Sequence, residues 1–183
     1  MSITAVVLTR GAYQREWPGI EVLVHRSDIT DAVGLQRARF DAVARVRTQR
    51  FFYLDDDDDL PAGHLQLLEH CADIDAPLVY TDEIVAGKRR SGCSYSQAHH
   101  IRHPMLVHHL ALYRTAAAAG AVRDLPRGHY APEFMLAWQV AKGGAAYVPE
   151  IGYVWNRTKN GMSNWPCTSL SWVRAMLWCK ENP

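Results

Sequence analysis

The sequence predicts an α/β protein with a mostly parallel central sheet flanked by helices. Over residues 1–83, short apolar runs with strand character alternate with runs whose apolar positions recur every three to four residues, the pattern of parallel βαβ units. The length of 183 residues fits one domain with a sizeable core. The composition, 48% hydrophobic and 21% charged, excludes a disordered chain, a coiled coil and a collagen-like repeat.

In the first half, β-branched and aromatic runs predict strands, and apolar positions at helical spacing predict helices. The predicted strand over residues 51–54 leads directly into five adjacent aspartates, Asp55–Asp59, called the aspartate run below. The predicted elements are a strand over residues 3–8, a strand over 20–25, a helix over 35–47, a strand over 51–54, a helix over 64–72 and a strand over 77–81.

In the second half, Pro132 is suited to the first turn of a helix, and Gly143 and Gly144 are suited to ending it. Residues 105–114 are apolar with two histidines and fit either a strand or a short helix. We find no internal repeat and no linker, so residues 1–183 are interpreted as a single domain. The other predicted elements are a helix over 115–121, a helix over 132–142, strands over 145–149 and 153–155, and a helix over 169–180.

Several classes of protein are disfavoured by what the sequence lacks. No apolar run approaches the ~18–20 residues of a membrane-spanning helix, and the N-terminus opens into a strand-like run without a basic segment before it. The four cysteines show no C-x-x-C spacing. We therefore expect a cytoplasmic protein without stable membrane insertion and without a structural zinc site.

The charge is distributed unevenly along the chain. Residues 1–83 carry 8 basic and 15 acidic residues, a net charge of −7, whereas residues 84–183 carry 12 basic and 4 acidic residues, a net charge of +8. The acidic half is suited to a cation and the basic half to an anion. We therefore expect residues 1–83 to form a nucleotide and metal half and residues 84–183 an acceptor half.

The aspartate run is the most informative feature. Five adjacent carboxylates repel one another unless a cation or solvent takes up the charge. The run follows a buried strand, and ligands of open α/β sheets bind at the carboxyl ends of strands. Asp55 and Asp57 alternate, so they can face one ligand, and oxygen ligands of this kind suit Mg²⁺, Mn²⁺ or Ca²⁺. The competing interpretation is a solvated acidic loop.

Four sequence segments, before, at and after the aspartate run, follow one another in a defined order along the chain. Residues 34–39 read G-L-Q-R-A-R, residues 51–61 join the aspartates to Leu60-Pro61, and Val79–Asp82 forms the following strand. Residues 132–143 then read P-E-F-M-L-A-W-Q-V-A-K-G, with Tyr153 beyond them. This arrangement resembles the core of a GT-A glycosyltransferase of the family 2 type. The resemblance implies a single GT-A-like, Rossmann-like domain.

The resemblance also implies a reaction and its participants. A sugar would move, with inversion, from a nucleoside-diphosphate sugar, by preference a UDP-sugar, to an acceptor hydroxyl. Asp57 and Asp55 would hold Mn²⁺ or Mg²⁺, and Glu133 would act as the base, although a glutamate also suits the first turn of a helix for structural reasons. The donor contacts would come from Thr9, Asp28, Arg39, Asp55 and Asp56.

The acceptor is predicted from charge. A basic half favours an anionic acceptor, and a hydroxymethylated base in DNA ranks slightly above a surface polysaccharide or another glycan. His108 and His109 follow an apolar run, where buried histidines with satisfied hydrogen bonds are commoner than metal ligands. The candidate acceptor-side residues are Asp82, His109, Trp138, Lys88, Arg89, Arg90 and Arg102.

Two other classes of function stay open on the sequence. The chain could be a catalytically inactive module that binds a nucleotide sugar or a nucleic acid, or a metal-dependent nuclease or phosphatase that uses the aspartates. Hydrolysis of a nucleotide sugar in the presence of Mn²⁺ distinguishes a transferase from the inactive binding module. Phosphate release without preference for a nucleotide sugar indicates the nuclease or phosphatase.

Overall fold

The computed structural model describes residues 2–27, 29–156 and 166–183. Within these residues the chain forms a single open sheet of seven strands with helices on both faces. The strands are β1 (Ile3–Thr9), β2 (Glu21–Arg26), β3 (Arg50–Asp55), β4 (Leu78–Val85), β5 (Lys88–Arg90), β6 (Ala111–Arg114) and β7 (Ala145–Trp155). The helices are α1 (Ala32–Val43), α2 (His64–Asp73), α3 (Gln97–Arg102), α4 (Thr115–Asp124), α5 (Pro132–Ala141) and α6 (Pro166–Glu181).

The long strands of the sheet all run in one direction. The order is β2-β1-β3-β6-β4-β5, and β7 lies along the other edge of β4. β1 pairs in parallel with β2 and β3, and β4 pairs in parallel with β7, while the short strands β5 and β6 are antiparallel to their neighbours. Since β6 is antiparallel to both β3 and β4, those two strands share a direction. The predicted fold class, a mostly parallel sheet flanked by helices, is confirmed.

Side chains alternate between the two faces of the sheet, as the period of a strand requires. Val6 and Tyr53 point into the larger core, which contains buried residues of α1, α4, α5 and α6. Val7 and Leu54 point into the smaller core, against α2. The near-continuous burial of β1 and β3 therefore follows from helices covering both faces.

Several elements differ from their predicted form. β6 covers only the last four residues of the segment 105–114. β7 is one strand of eleven residues, where the sequence predicts two. In the sequence, Pro149 interrupts the strand pattern of this segment. In the structure, the pairing of β7 with β4 shifts register near Asp82, and an irregular or edge strand tolerates a proline. The β4–β5 hairpin was not predicted, because Ala86 and Gly87 turn with positive φ without an Asn-Gly signal.

The carboxyl ends of the long strands define one edge of the sheet. β3 ends there at Asp55, and the chain continues into the aspartate run. β6 runs the opposite way, so its beginning, just after His109, lies at this same edge. No helix among the described residues is long and apolar enough to cross a membrane.

Candidate active site

A buried arginine joins the two acidic groups that the sequence singled out. Arg39, on α1, is 2% exposed, and its Nη2 donates to Asp55 Oδ1 at 2.6 Å. Its Nε forms an ion pair with Glu133 Oε1 from the first turn of α5. The guanidinium also lies over the ring of Tyr53, 4.6 Å from the ring centroid. The fold thus brings the predicted metal carboxylate and the predicted base to opposite sides of one cation.

The electrostatics of the two carboxylates differ. Burial alone would raise the pKa of Asp55, but the charge of Arg39 and its hydrogen bond outweigh burial and hold that pKa below its usual value. Burial raises the pKa of Glu133, and Arg39 offsets this only in part. Asp55 is therefore held as a carboxylate, whereas Glu133 is a stronger base than an exposed glutamate.

The end of β7 holds the aspartate run in place. The Tyr153 hydroxyl accepts from the Asp55 backbone N–H at 3.0 Å and donates to Asp58 Oδ2 at 2.8 Å. The Asn156 backbone N–H donates to Asp58 Oδ1 at 2.7 Å, and its Nδ2 donates to Asp59 Oδ2 at 2.9 Å. Burial, followed by the nearby charge of Asp55, raises the pKa of Asp58 to about 8. The shape of the run thus depends on contacts across the sheet.

Replacing Tyr153 by phenylalanine tests this arrangement. The Tyr153→Phe change removes the only side-chain hydroxyl between Asp55 and Asp58 among the described residues and leaves two polar groups without that partner. We expect the free energy of unfolding to fall by about 1–3 kcal/mol. Urea denaturation is the measurement, with Tyr130→Phe as the matched control at a partly buried tyrosine outside the run. An unchanged free energy would show that the hydroxyl does not support the run.

A second cluster adjoins Asp55 from the β6 side. The His109 ring stacks on Tyr153, with ring centroids 4.3 Å apart and an interplanar angle of 12°. His108 Nδ1 contacts Glu83 Oε2 at 3.3 Å and Arg90 Nη2 at 3.0 Å, and Arg90 also pairs with Glu83. Burial lowers the pKa of both histidines to about 3, so both rings are neutral at physiological pH.

Two groups of side chains at this edge have the composition of a metal site. Possible ligand atoms of Asp55, Asp58 and His109 lie within 4.8 Å of one another, as do those of Glu83, His108 and His109. Carboxylate oxygens and neutral imidazole nitrogens are ligands for divalent cations, so these residues fit such an ion chemically. Asp56 and Asp57 are exposed, and Asp57 belongs to neither group.

The remaining candidate residues are distributed more widely. Thr9, at the end of β1, is buried, and its hydroxyl accepts from the Gly11 N–H at 3.1 Å. Trp138 is buried in the larger core, and its indole N–H points to the carbonyl of Asn182 beyond α6. Asp28 lies outside the described residues.

The candidate acceptor-side charges are largely paired. Asp82 accepts from Arg89 Nε at 2.7 Å, from the Gly92 N–H at 2.9 Å and from the Tyr147 hydroxyl at 2.5 Å. Arg90 pairs with Glu83 instead. Lys88 and Arg102 are exposed. Arg89 and Arg90, two of the basic residues that the sequence assigns to an anionic acceptor, thus neutralise the carboxylates at the end of β4.

Sequence reasoning missed the supporting residues. Asp58, Glu83 and Asn156 were not proposed for the site, and their partners lie far away along the chain or on another strand. For Glu83, adjacency to Asp82 at a strand end was an available signal. For Asn156, whose contact with Asp58 spans 98 positions, the sequence carries no local signal.

The chain is similar in structure to TarS from S. aureus. It superposes on TarS 1–349 in complex with UDP-GlcNAc with a TM-score of 0.68 and 15% identity, covering 98% of this chain and 65% of that one. The complex with UDP gives a TM-score of 0.67 and 13% identity, with 100% and 66% covered. The chain therefore spans slightly under two thirds of that TarS fragment. No family model and no curated protein sequence matches.

At these identities the likeness concerns the fold. It agrees with the topology above, in which an open, mostly parallel α/β sheet gathers its polar groups at one edge. The GT-A-like fold class is confirmed, and membership of glycosyltransferase family 2 stays a prediction.

Proposed function

We propose that the protein is a glycosyltransferase that binds a nucleoside-diphosphate sugar, by preference a UDP-sugar, together with a divalent cation, and transfers the sugar to an acceptor hydroxyl with inversion. The observation that carries this proposal is the buried bridge of Asp55, Arg39 and Glu133 at the carboxyl edge of the sheet. It brings the proposed cation ligand Asp55 and the proposed base Glu133 into one site, which supports a transfer between a charged donor and a hydroxyl.

The likeness to TarS supports the choice of donor. TarS has been captured with UDP-GlcNAc and with UDP on the fold that this chain shares. In open α/β sheets, ligands bind outside the carboxyl ends of the strands, where Thr9 and Asp55 lie here. In the proposal, Thr9 and Asp28 contact the nucleoside, and Asp55, Asp56 and Arg39 lie toward the diphosphate.

The proposed proton acceptor is Glu133. As the acceptor oxygen forms a bond to the anomeric carbon, the bond from that carbon to the diphosphate breaks on the opposite face, and its electron pair leaves with the diphosphate. The acceptor proton passes to Glu133, whose pKa is raised by burial. Arg39 holds the Glu133 side chain in position through Oε1.

The proposed cation is Mn²⁺ or Mg²⁺, held by Asp55 and Asp57. A cation there would offset the charge that develops on the departing diphosphate. Arg39 occupies Oδ1 of Asp55, and the described residues provide no hydrogen-bond partner for Oδ2. The Asp55 side chain is 29% exposed, so this oxygen is accessible to a ligand.

Replacing Asp57 by alanine tests the cation assignment. We expect Asp57→Ala to abolish the Mn²⁺-dependent part of UDP binding with little loss of stability, because one of several mutually repelling carboxylates is removed. Isothermal titration calorimetry with UDP, with and without Mn²⁺, is the measurement. Asp73→Ala, an exposed aspartate at the end of α2, is the control. Mn²⁺-dependent binding that persists in Asp57→Ala would remove Asp57 from the ion.

The function as a whole is tested by incubating the protein with Mn²⁺ and a panel of nucleotide sugars. Release of UDP from one donor, with transfer of its sugar detected by mass spectrometry, is the expected result. UDP binding without any turnover on the panel would identify an inactive binding module. Phosphate release without preference for nucleotide sugars would indicate a nuclease or phosphatase instead.

The acceptor is proposed only as a hydroxyl compound. Arg89 and Arg90 are engaged with Asp82 and Glu83, which reduces the charge available for nucleic-acid phosphates. Mass spectrometry of hydroxymethylated DNA and of glycans after incubation with the preferred donor distinguishes the DNA acceptor from a polysaccharide.

A further inference from the structure

We propose that His109 supplies a nitrogen ligand to the divalent cation that the aspartate run binds. This inference rests on the cation of the proposed function and adds a ligand from a different strand. It also revises the interpretation of His109 as a buried histidine whose hydrogen bonds are satisfied.

The first argument is the register of the sheet. β6 pairs antiparallel with β3, with Arg50 opposite Arg114 and Phe51 opposite Tyr113. β3 ends at Asp55, and His109 lies two residues before the start of β6, at the same edge of the sheet. There a His109 nitrogen lies within 4.8 Å of possible ligand atoms of Asp55 and Asp58.

The second argument is the state of the ring. His109 is 6% exposed, and its ring contacts Tyr153, His108 and Trp155. A neutral imidazole carries one unprotonated ring nitrogen, and that nitrogen can ligate a divalent cation.

The third argument concerns which of the two ligand groups takes the ion. The Glu83 group already contains a cation, because Arg90 pairs with Glu83 and contacts His108 Nδ1 at 3.0 Å. The Asp55 group contains an arginine as well, because Arg39 pairs with Asp55. Each oxygen of Asp58 accepts one hydrogen bond and keeps a second lone pair. His109 belongs to both groups. Both oxygens of Glu83 already have partners and its side chain is 4% exposed, whereas the Asp55 side chain is 29% exposed and the described residues provide no partner for its Oδ2, so we assign His109 to the Asp55 side.

The ligand atoms are close to bonding separation. Metal–ligand distances of ~2.1 Å place ligands of one ion at most about 4.2 Å apart. The ligand atoms of Asp55, Asp58 and His109 lie within 4.8 Å of one another, so only small side-chain adjustments are needed for all three to bind one ion.

The test is electron spin echo spectroscopy of bound Mn²⁺, which detects a directly coordinated ¹⁴N. We expect nitrogen coupling in the wild-type protein with Mn²⁺ alone, without nucleotide. His109→Gln should lose the coupling and bind Mn²⁺ at least ~10-fold more weakly. His108→Gln, which changes the adjacent histidine in the other group, should keep both the coupling and the affinity.

A merely structural His109 would give a different result. If its role were only to stack on Tyr153, the wild-type protein would show no nitrogen coupling, and this overturns the proposal without depending on the folding of any variant. Coupling that survives in His109→Gln, or that is lost in His108→Gln, also overturns it. These measurements use no donor, so a failure of UDP binding or sugar transfer would refute the proposed function and leave this inference standing.

Discussion

Replacing Glu133 by glutamine is expected to lower the rate of sugar transfer by ~10²–10⁴-fold while leaving UDP affinity nearly unchanged. Glutamine keeps the size and polarity of the side chain but cannot accept the acceptor's proton. Arg39 retains Asp55 as its charged partner, so the donor side of the site is preserved. Steady-state turnover with the preferred donor, combined with calorimetry of UDP binding, separates the two effects.

The matched control is Glu69→Gln, which changes an exposed glutamate on α2 and should leave turnover unchanged. The pH profile gives a further check. A base must be ionised, so the wild-type rate should fall as the pH drops through the pKa of Glu133, which burial places above the usual glutamate value. Wild-type turnover in Glu133→Gln would show that this glutamate only holds Arg39 and that another group accepts the proton.

Replacing Arg39 by methionine is expected to produce the largest loss of stability of any single change at the site. The Arg39→Met change leaves Asp55 and Glu133 in a buried environment without their common counter-charge. Removing one partner of a buried ion pair costs about 3–5 kcal/mol. Since ~1 kcal/mol shifts the melting temperature of a domain of this size by about 2–4 °C, thermal unfolding should show the effect clearly.

Arg37→Met is the control, because Arg37 is an exposed neighbour on the same helix and should change stability by no more than ~0.5 kcal/mol. The loss in Arg39→Met should depend on pH. Without the arginine, the folded-state pKa values of both carboxyls lie above their unfolded values, so the variant is least destabilised at low pH and loses stability as the pH rises through them. An equal loss at pH 5 and pH 8 would indicate that packing, and not charge, explains the effect.

The sequence contained enough information for the fold class and for part of the site. The alternation of strand and helix patterns over residues 1–83 depends on local periodicity, and the same holds for the position of Asp55 at the end of β3. Glu133 in the first turn of α5 follows from Pro132 and the apolar run after it. The structure brings both carboxylates to Arg39, although the sequence assigned that arginine only to the donor.

The other half of the site depends on pairing between distant strands. His109 lies near Asp55 because β6 begins at the edge of the sheet where β3 ends, and residues 105–114 do not reveal from their pattern where β6 begins. The pairing of Arg89 with Asp82 requires the β4–β5 hairpin, whose turn lacks a strong sequence signal. Charge counting alone therefore assigned Arg89 and Arg90 to an external anion when their partners lie seven residues earlier in the same hairpin.

The contact between Asn156 and the aspartate run has a consequence for the order in which the protein matures. The two segments are separated by 98 positions, which a ribosome adds in about 5–20 s. During that interval β1, α1 and β3 have already emerged, but Asp58 lacks both Tyr153 and Asn156. In the nascent amino-terminal half, the aspartate run therefore lacks the two contacts that hold the Asp58 side chain until β7 has been synthesised and has paired with β4.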